Sequence, residues 1–286
     1  MKQQIYPIET GYFKLDGGAM FGVVPKSMWQ KLNPPDENNL CTWAMRCLLL
    51  VIGDQKILID TGMGTKQDPK FRSHFQPHGE DDLITNLNKI GVPPEEITDV
   101  ILTHLHFDHC GGAVSKDEDQ KLIPTFRNAR YYSNQKHWSW AIEPNDREKA
   151  SFLKENFVPL AENGKINWIQ EDGSCSSLPK EIQIKFCYGH TEAMMICKIS
   201  INQKTYIYCA DLLPSSAHIS MPFIMAYDVR PLQSLKEKEM LLNDAVNEKH
   251  ILILEHDPKY VACTVKYNEA GRIVLDECFT ELNQFA

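Results

Sequence analysis

The chain reads as an α/β protein in which two β-sheets pack face to face with helices outside, and three features lead to that reading. Short apolar runs broken by Gly, Pro and Asp recur along it as strands. Stretches with helical periodicity separate some of them. The strands cluster early and late with helices between, the pattern of layered sheets covered by helices. No low-complexity linker or shift of composition interrupts the 286 residues, so a single domain is expected, with a helical insertion at about residues 134–160.

Taken in order, "AMRCLLLVIG" (44–53) and "KILIDTG" (56–62) are strands joined by the hairpin turn "GDQ". "EDDLITNLNKIGV" is a helix, because Leu83, Ile84, Leu87 and Ile90 recur near a 3.6-residue period and Gly91 supplies a stop. "TDVILTH" (98–104) is a buried strand. The unit is strand–helix–strand, with polar residues gathered where the last strand ends, the usual place for ligand sites in α/β sheets. In the second half, "ARYYS", "KINWIQ", "EIQIKFCYG", "MMICKIS" and "KTYIYCAD" are strands, and residues 134–160 form two helices broken near Pro144. "PLQSLKEKEMLLNDAVNEK" (231–249) is an amphipathic helix opened by a proline, and "HILILEHD" (250–257) is a further strand.

Composition narrows the function. A formal net charge of -8 gives no general basic field, so a protein that tracks nucleic-acid phosphates is disfavoured and a small-molecule substrate is expected. The nine cysteines are an odd set without paired CxxC spacing, as expected of reduced packing residues in a cytoplasmic protein. The N-terminus lacks a continuous apolar core of the signal-peptide type, and nothing approaches the roughly 18–20 apolar residues of a membrane span, so no membrane partner is expected.

The chemistry gathers in "ILTHLHFDHCGG" (101–112). His104, His106, Asp108 and His109 share one irregular turn, where imidazole and carboxylate can converge on zinc, or on manganese, iron or cobalt. Three later strand ends each add one candidate ligand: His190 in "CYGHTE", Asp211 in "YCADLL" and His256 in "LEHDP". Seven ligands exceed the need of one tetrahedral ion, and two ions sharing a bridge account for them. Cys110, beside the cluster, is expected to pack rather than to act as a nucleophile.

"THLHFDHCGG", "GHT", "AD" and "EHD", preceded by "ILIDTG", resemble the five ordered motifs of the metallo-β-lactamase fold superfamily, in its dinuclear hydrolase branch, over residues 44–257. The resemblance implies a four-layer αββα sandwich. It implies that His104, His106 and His190 hold one metal, that Asp108, His109 and His256 hold the other, and that Asp211 bridges. Asp60 would orient ligands by hydrogen bonds. Two divalent transition-metal ions, zinc foremost, would hold a hydroxide as nucleophile, with Asp108 passing a proton to the departing alkoxide. "LDGGAMFGVVPKSMW" and "ADLLPSSAHISMPFIMAYD" are similar to the group of N-acyl-homoserine lactonases and methyl parathion hydrolase. That similarity implies a quorum-quenching lactonase with ester or phosphotriester promiscuity. An organophosphate or aryl ester hydrolase, a glyoxalase II-like thioesterase and a non-hydrolytic di-iron redox protein are the alternatives. Two departures stand out: Pro214 occupies the place of the tyrosine expected three residues after the bridging aspartate, and "GHTEAMM" lacks the second Gly-His pair. His218 or Tyr227 is expected to replace the tyrosine. Met20, Phe21, Trp29 and Phe223 are expected to line an acyl pocket, and the same apolar segments suit a homodimer contact.

Overall fold

The computed structural model describes residues 3–282. The chain forms two compact units, the first from the segments up to Gly11, Met45–Arg72 and Gly79–Lys180, the second from Tyr12–Ala44, Ser73–His78 and the chain from Glu181 onward. The mixed α/β character expected from the sequence is present in both.

In the first unit six strands form one sheet in the order Gln3–Ile8, Cys47–Ile52, Gln55–Ile59, Asp99–Ile101, Arg130–Ser133 and Ile166–Trp168. The first three run antiparallel to their neighbours, and Gln55–Ile59 starts a parallel set that continues to the far edge. The expected hairpin is tight: Ile52 pairs with Gln55, leaving Gly53 and Asp54 as the turn, with Gly53 at φ 61°. Alternate residues of the central strands enter one apolar core. Leu49, Leu58 and Val100 pack with Leu83 and Leu87 of the helix Leu83–Lys89 and with Phe126, Phe152 and Phe157. The other alternates, Leu48, Leu50, Ile57 and Ile59, are also fully buried, which explains the continuous "LLLV" and "ILI" runs of a strand covered on both faces. Within the insertion the helix Gln135–Ile142 forms as expected and ends before Pro144; the second expected helix is reduced to a 3-10 turn at Lys154–Asn156 and the short helix Val158–Glu162.

The second unit carries another six-stranded sheet, in the order Ile182–Cys187, Met194–Ile201, Lys204–Tyr208, Ile251–Ile253, Ala262–Tyr267 and Ile273–Phe279. Its only parallel neighbours among the described residues are Lys204–Tyr208 and Ile251–Ile253, and the long helix Pro231–Glu248 lies in the connection between them. The helix places Pro231 in its first turn, where the missing N–H costs nothing, and ends on Lys249 in the left-handed region. A hairpin of Tyr12–Asp16 with Leu40–Ala44 belongs to the same unit.

Two glycines decide how closely the first unit's loops can nest. A Cβ on Gly111 would stand 2.0 Å from the Met63 carbonyl oxygen, and one on Gly112 would stand 2.2 Å from that of Thr61. The pair after the histidine cluster is therefore required by backbone approach. Because the obstructing atoms are main chain, Gly111→Ala cannot be relieved by a rotamer change, and a loss of about 1–3 kcal/mol or more is expected in urea unfolding. Unchanged stability in that measurement would contradict the close approach.

Candidate metal centre

The strand Gln55–Ile59 ends on Asp60, which adopts φ 58°, a left-handed conformation that a residue with a Cβ takes at a cost and that recurs at functional sites. Its side chain is wholly buried. Oδ1 accepts the Thr103 N–H at 2.8 Å, and Oδ2 accepts the Thr103 hydroxyl at 2.6 Å and the His109 Nδ1–H at 3.2 Å. Asp60 thereby ties one strand end to the turn that follows the next strand. Thr61 strengthens the tie, its N–H and hydroxyl both donating to the His109 carbonyl at 2.7 and 3.0 Å.

That turn leads into the one-turn helix Phe107–Cys110, and His104, His106, Asp108 and His109 are all buried in it. The His104 Nδ1–H donates to the Thr103 hydroxyl at 3.1 Å, leaving Nε2 to face His106 Nδ1, also at 3.1 Å. His109, held at Nδ1 by Asp60, presents Nε2 3.7 Å from Asp108 Oδ2. Cys110 is a packing residue here: its thiol donates to the Leu105 carbonyl, and burial pushes its pKa up to about 12, far from thiolate chemistry.

The second unit supplies three ligand-type residues from three strand ends. His190 follows the strand Ile182–Cys187 on a loop that Glu237 fastens to the long helix, its carboxylate accepting the Tyr188 and Gly189 N–H groups at 2.9 and 3.0 Å. Asp211 sits in a 3-10 turn after Lys204–Tyr208, next to Ala210 at φ 44°. His256 follows Ile251–Ile253; its Nδ1–H donates to the Ala44 carbonyl at 2.7 Å, so Nε2 is the ligand nitrogen. The two Asp211 oxygens diverge. Oδ2 lies 3.0 Å from His190 Nε2, and Oδ1 lies 3.0 Å from His256 Nε2.

Asp228 went unnoticed in the sequence. It accepts the His190 Nδ1–H at 2.9 Å, and this orients the ring as Asp60 orients His109. Burial alone would depress the His190 pKa, but Asp211 and Asp228 flank the ring and together raise it to about 10. Two carboxylates thus call for a cation at this imidazole. In each unit the donors suit a divalent transition metal: imidazole nitrogens and carboxylate oxygens, with His104, His109, His190 and His256 each held at the other nitrogen, and neighbouring donor atoms 3.1 Å apart in the first unit and 3.0 Å apart in the second. Metal–ligand bonds of about 2.0–2.1 Å at tetrahedral angles place donors about 3.3 Å from one another.

The residues expected around the substrate are for the most part buried. His218 is buried with both nitrogens engaged, Nδ1 accepting the Ser215 hydroxyl at 2.7 Å and Nε2–H donating to the Met20 carbonyl at 2.9 Å; burial holds its pKa down at about 4, so the ring is neutral. Phe21 stacks on His218 at 4.9 Å and on Trp29 at 5.1 Å and meets Phe223 edge-on at 5.9 Å. Met20, Phe21, Trp29 and Phe223 are all buried, ring against ring in the aromatic cases. Tyr227 is 38% exposed. Lys238, with no exposed surface, donates to the carbonyls of His218, Ser220 and Phe223 at 2.9–3.0 Å and so fixes the segment that carries two of these residues. The large apolar side chains left to solvent around Phe21–Trp29 are Val23, Met28 and Leu32. Trp29→Ala is therefore expected to act as a core deletion, lowering stability by about 3–5 kcal/mol in chemical denaturation. Wild-type stability combined with altered substrate preference would return Trp29 to the pocket.

The sequence profile of the Metallo-beta-lactamase superfamily matches residues 46–256. An N-acyl homoserine lactonase from Bacillus cereus is 25% identical over 240 residues, 79% of this chain and 85% of the relative. Another from Bacillus thuringiensis is 33% identical over 120 residues, 38% of this chain and 44% of the relative. Among solved structures, one described as a probable metal-dependent hydrolase from Staphylococcus aureus superposes with a TM-score of 0.87 at 29% identity, covering 98% of both chains. AidC, described as a dizinc quorum-quenching lactonase, superposes at 0.76 with 19% identity, covering 96% of this chain and 94% of its own, a likeness of fold.

Proposed function

Since the chain belongs to the metallo-β-lactamase superfamily and is a hydrolase of that fold, we propose that it is a dinuclear metal-dependent lactonase acting on N-acyl-homoserine lactones. In this reading, which follows the family resemblance, His104, His106 and His190 would hold one ion, Asp108, His109 and His256 the other, and Asp211 would serve both. The observation that carries it is the divergence of the Asp211 oxygens toward two different imidazoles, as a bridging carboxylate requires. The lactonase relatives support the substrate class, and zinc is the expected metal because imidazole nitrogen and carboxylate oxygen are donors that suit it.

Two bound divalent ions supply Lewis acidity, lowering the pKa of water and polarising a carbonyl. The chain's own residues do the rest. Asp60 and Asp228 keep His109 and His190 in the tautomer that offers Nε2. Asp108 would take one proton as water adds to the lactone carbonyl and deliver it to the ring oxygen as the C–O bond breaks, giving an alcohol and a carboxylic acid that loses water's second proton to solvent. Pro214 offers no hydroxyl to the carbonyl, and its own C=O accepts the His256 N–H at 3.0 Å. His218 has no nitrogen left for proton transfer. Of the two expected replacements for the tyrosine, Tyr227, 38% exposed, is the one that still has a hydroxyl to offer the carbonyl.

About two ions per chain are expected by elemental analysis, and Asp211→Asn should lower both occupancies and cut turnover by orders of magnitude while the fold persists. A reproducible ceiling of one ion with full activity would sink the dinuclear reading. On a panel of lactones, aryl esters, thioesters and phosphotriesters, acyl-homoserine lactones should have the highest kcat/KM. Turnover of a phosphotriester or thioester with none of any lactone would replace the lactonase assignment.

A further inference from the structure

Four of the five candidate ligand histidines have the nitrogen remote from the metal tied down by groups described above: Thr103 for His104, Asp60 for His109, Asp228 for His190 and the Ala44 carbonyl for His256. Each leaves Nε2 as the ligand. His106 is the exception, since its Nδ1 is the nitrogen facing His104 Nε2. Its remote nitrogen is Nε2. The group lying 3.7 Å from it is Oε1 of Glu148, a residue of the helical insertion and 42 positions away in sequence.

We propose that Glu148 is a positioning residue for His106, an anionic partner from the insertion that holds the ring with Nδ1 toward the metal; this rests on the metal reading of the preceding subsection. Glu148 is an unusual residue to find there. Its side chain is only 4% exposed, and a carboxylate so far from water needs both hydrogen bonds and a compensating positive charge. The hydrogen bonds reach Oε2: Trp140 Nε1–H donates at 2.8 Å and the Asn145 amide at 2.5 Å. They fix the plane of the carboxylate and turn Oε1 toward the imidazole, whose N–H becomes more acidic and more positive when the opposite nitrogen binds a cation. A metal at Nδ1 therefore strengthens the Glu148 contact, and by reciprocity Glu148 strengthens the metal.

The insertion is shaped to hold that position. The His137 Nε2 accepts the Leu105 N–H at 2.8 Å, the Ser151 carbonyl accepts the Phe107 N–H at 3.0 Å, and the Phe152 ring lies 4.7 Å from that of His106. The residues on both sides of His106 are thus hydrogen-bonded to the segment that carries Glu148. The insertion sets the affinity of the ion held by His104 and His106.

The test compares the full-length wild type with Glu148→Gln, Glu148→Ala and Trp140→Phe, and with Asp146→Asn, an exposed neighbour, as control. Each is loaded with zinc or cobalt, dialysed against rising concentrations of a chelator and analysed for metal; the cobalt forms are also followed by visible absorption. For Glu148→Gln, one of the two ions should be lost at a chelator concentration about 10–100-fold lower than in wild type, with the second ion and the melting temperature of the metal-free protein unchanged. Glu148→Ala should shift release further, Trp140→Phe in the same direction but less, and Asp146→Asn not at all. Release curves for both Glu148 variants that coincide with wild type overturn the inference. So does a lower melting temperature of the metal-free Glu148→Gln protein with normal metal release, which would make Glu148 a packing residue. If wild type itself retains no metal, the metal reading fails and this inference with it, an outcome distinct from a two-ion wild type matched by its variants.

Discussion

The buried carboxylate of Asp60 is the interaction on which the first ligand turn depends. A charge with no exposed surface is tolerable only while its oxygens are met, and here they are met by the Thr103 N–H, the Thr103 hydroxyl and the His109 ring. Separating the end of the strand Gln55–Ile59 from the turn after Asp99–Ile101 would strand that charge. The tie explains the left-handed backbone at Asp60, which re-aims the chain at the cost of some local strain, and the Gly111–Gly112 pair, which lets the returning strand of loop lie against Met63 and Thr61. Ligand geometry, backbone strain and the glycines follow from one requirement.

The second unit reaches the same end by different means. Its three ligand-type residues leave three separate strands, so no single turn can align them. The long helix does much of that work: Glu237 fastens the His190 loop, while Asp228, just before the helix, holds the ring. A Cβ on Gly189 would stand 2.3 Å from the Ser234 backbone nitrogen, so the loop meets the helix start closely enough to exclude any side chain. Ala210, at positive φ, turns the chain so that Asp211 can offer its two oxygens in different directions. Acidic residues behind the imidazoles thus recur in both units, on unrelated elements.

Most of the central strands and the cluster of candidate ligands were legible in the sequence, because both are written locally. "THLHFDH" places four ligands within six positions, and buried strands such as "CLLLVI" declare themselves by continuous apolarity. Edge strands did not. Gln3–Ile8 contains Pro7, which argues against a strand interior, and Ile273–Phe279 alternates too little, its middle residues being exposed. Asp228 and Glu148 were invisible for a different reason. Each lies about 40 residues from the histidine it meets, in a loop where an acidic residue is unremarkable until the fold brings it inward. Phe21, Trp29 and Phe223 show the converse: an aromatic residue near a ligand motif has the same letter whether it lines a pocket or fills a core, and only ring-on-ring packing separates the two.

The second unit is discontinuous, and this bears on its synthesis. The segment Tyr12–Ala44, with Phe21, Trp29 and Trp43, finds its partners in residues beyond Glu181: the Ala19 carbonyl accepts the Ala226 N–H, Met20 meets His218, and Ala44 exchanges hydrogen bonds with His256. The 136 intervening residues leave the ribosome first. At translation rates of about 5–20 residues per second, a strongly aromatic N-terminal stretch waits roughly seven to thirty seconds for these later neighbours. During that interval the stretch carries apolar rings that the finished fold covers.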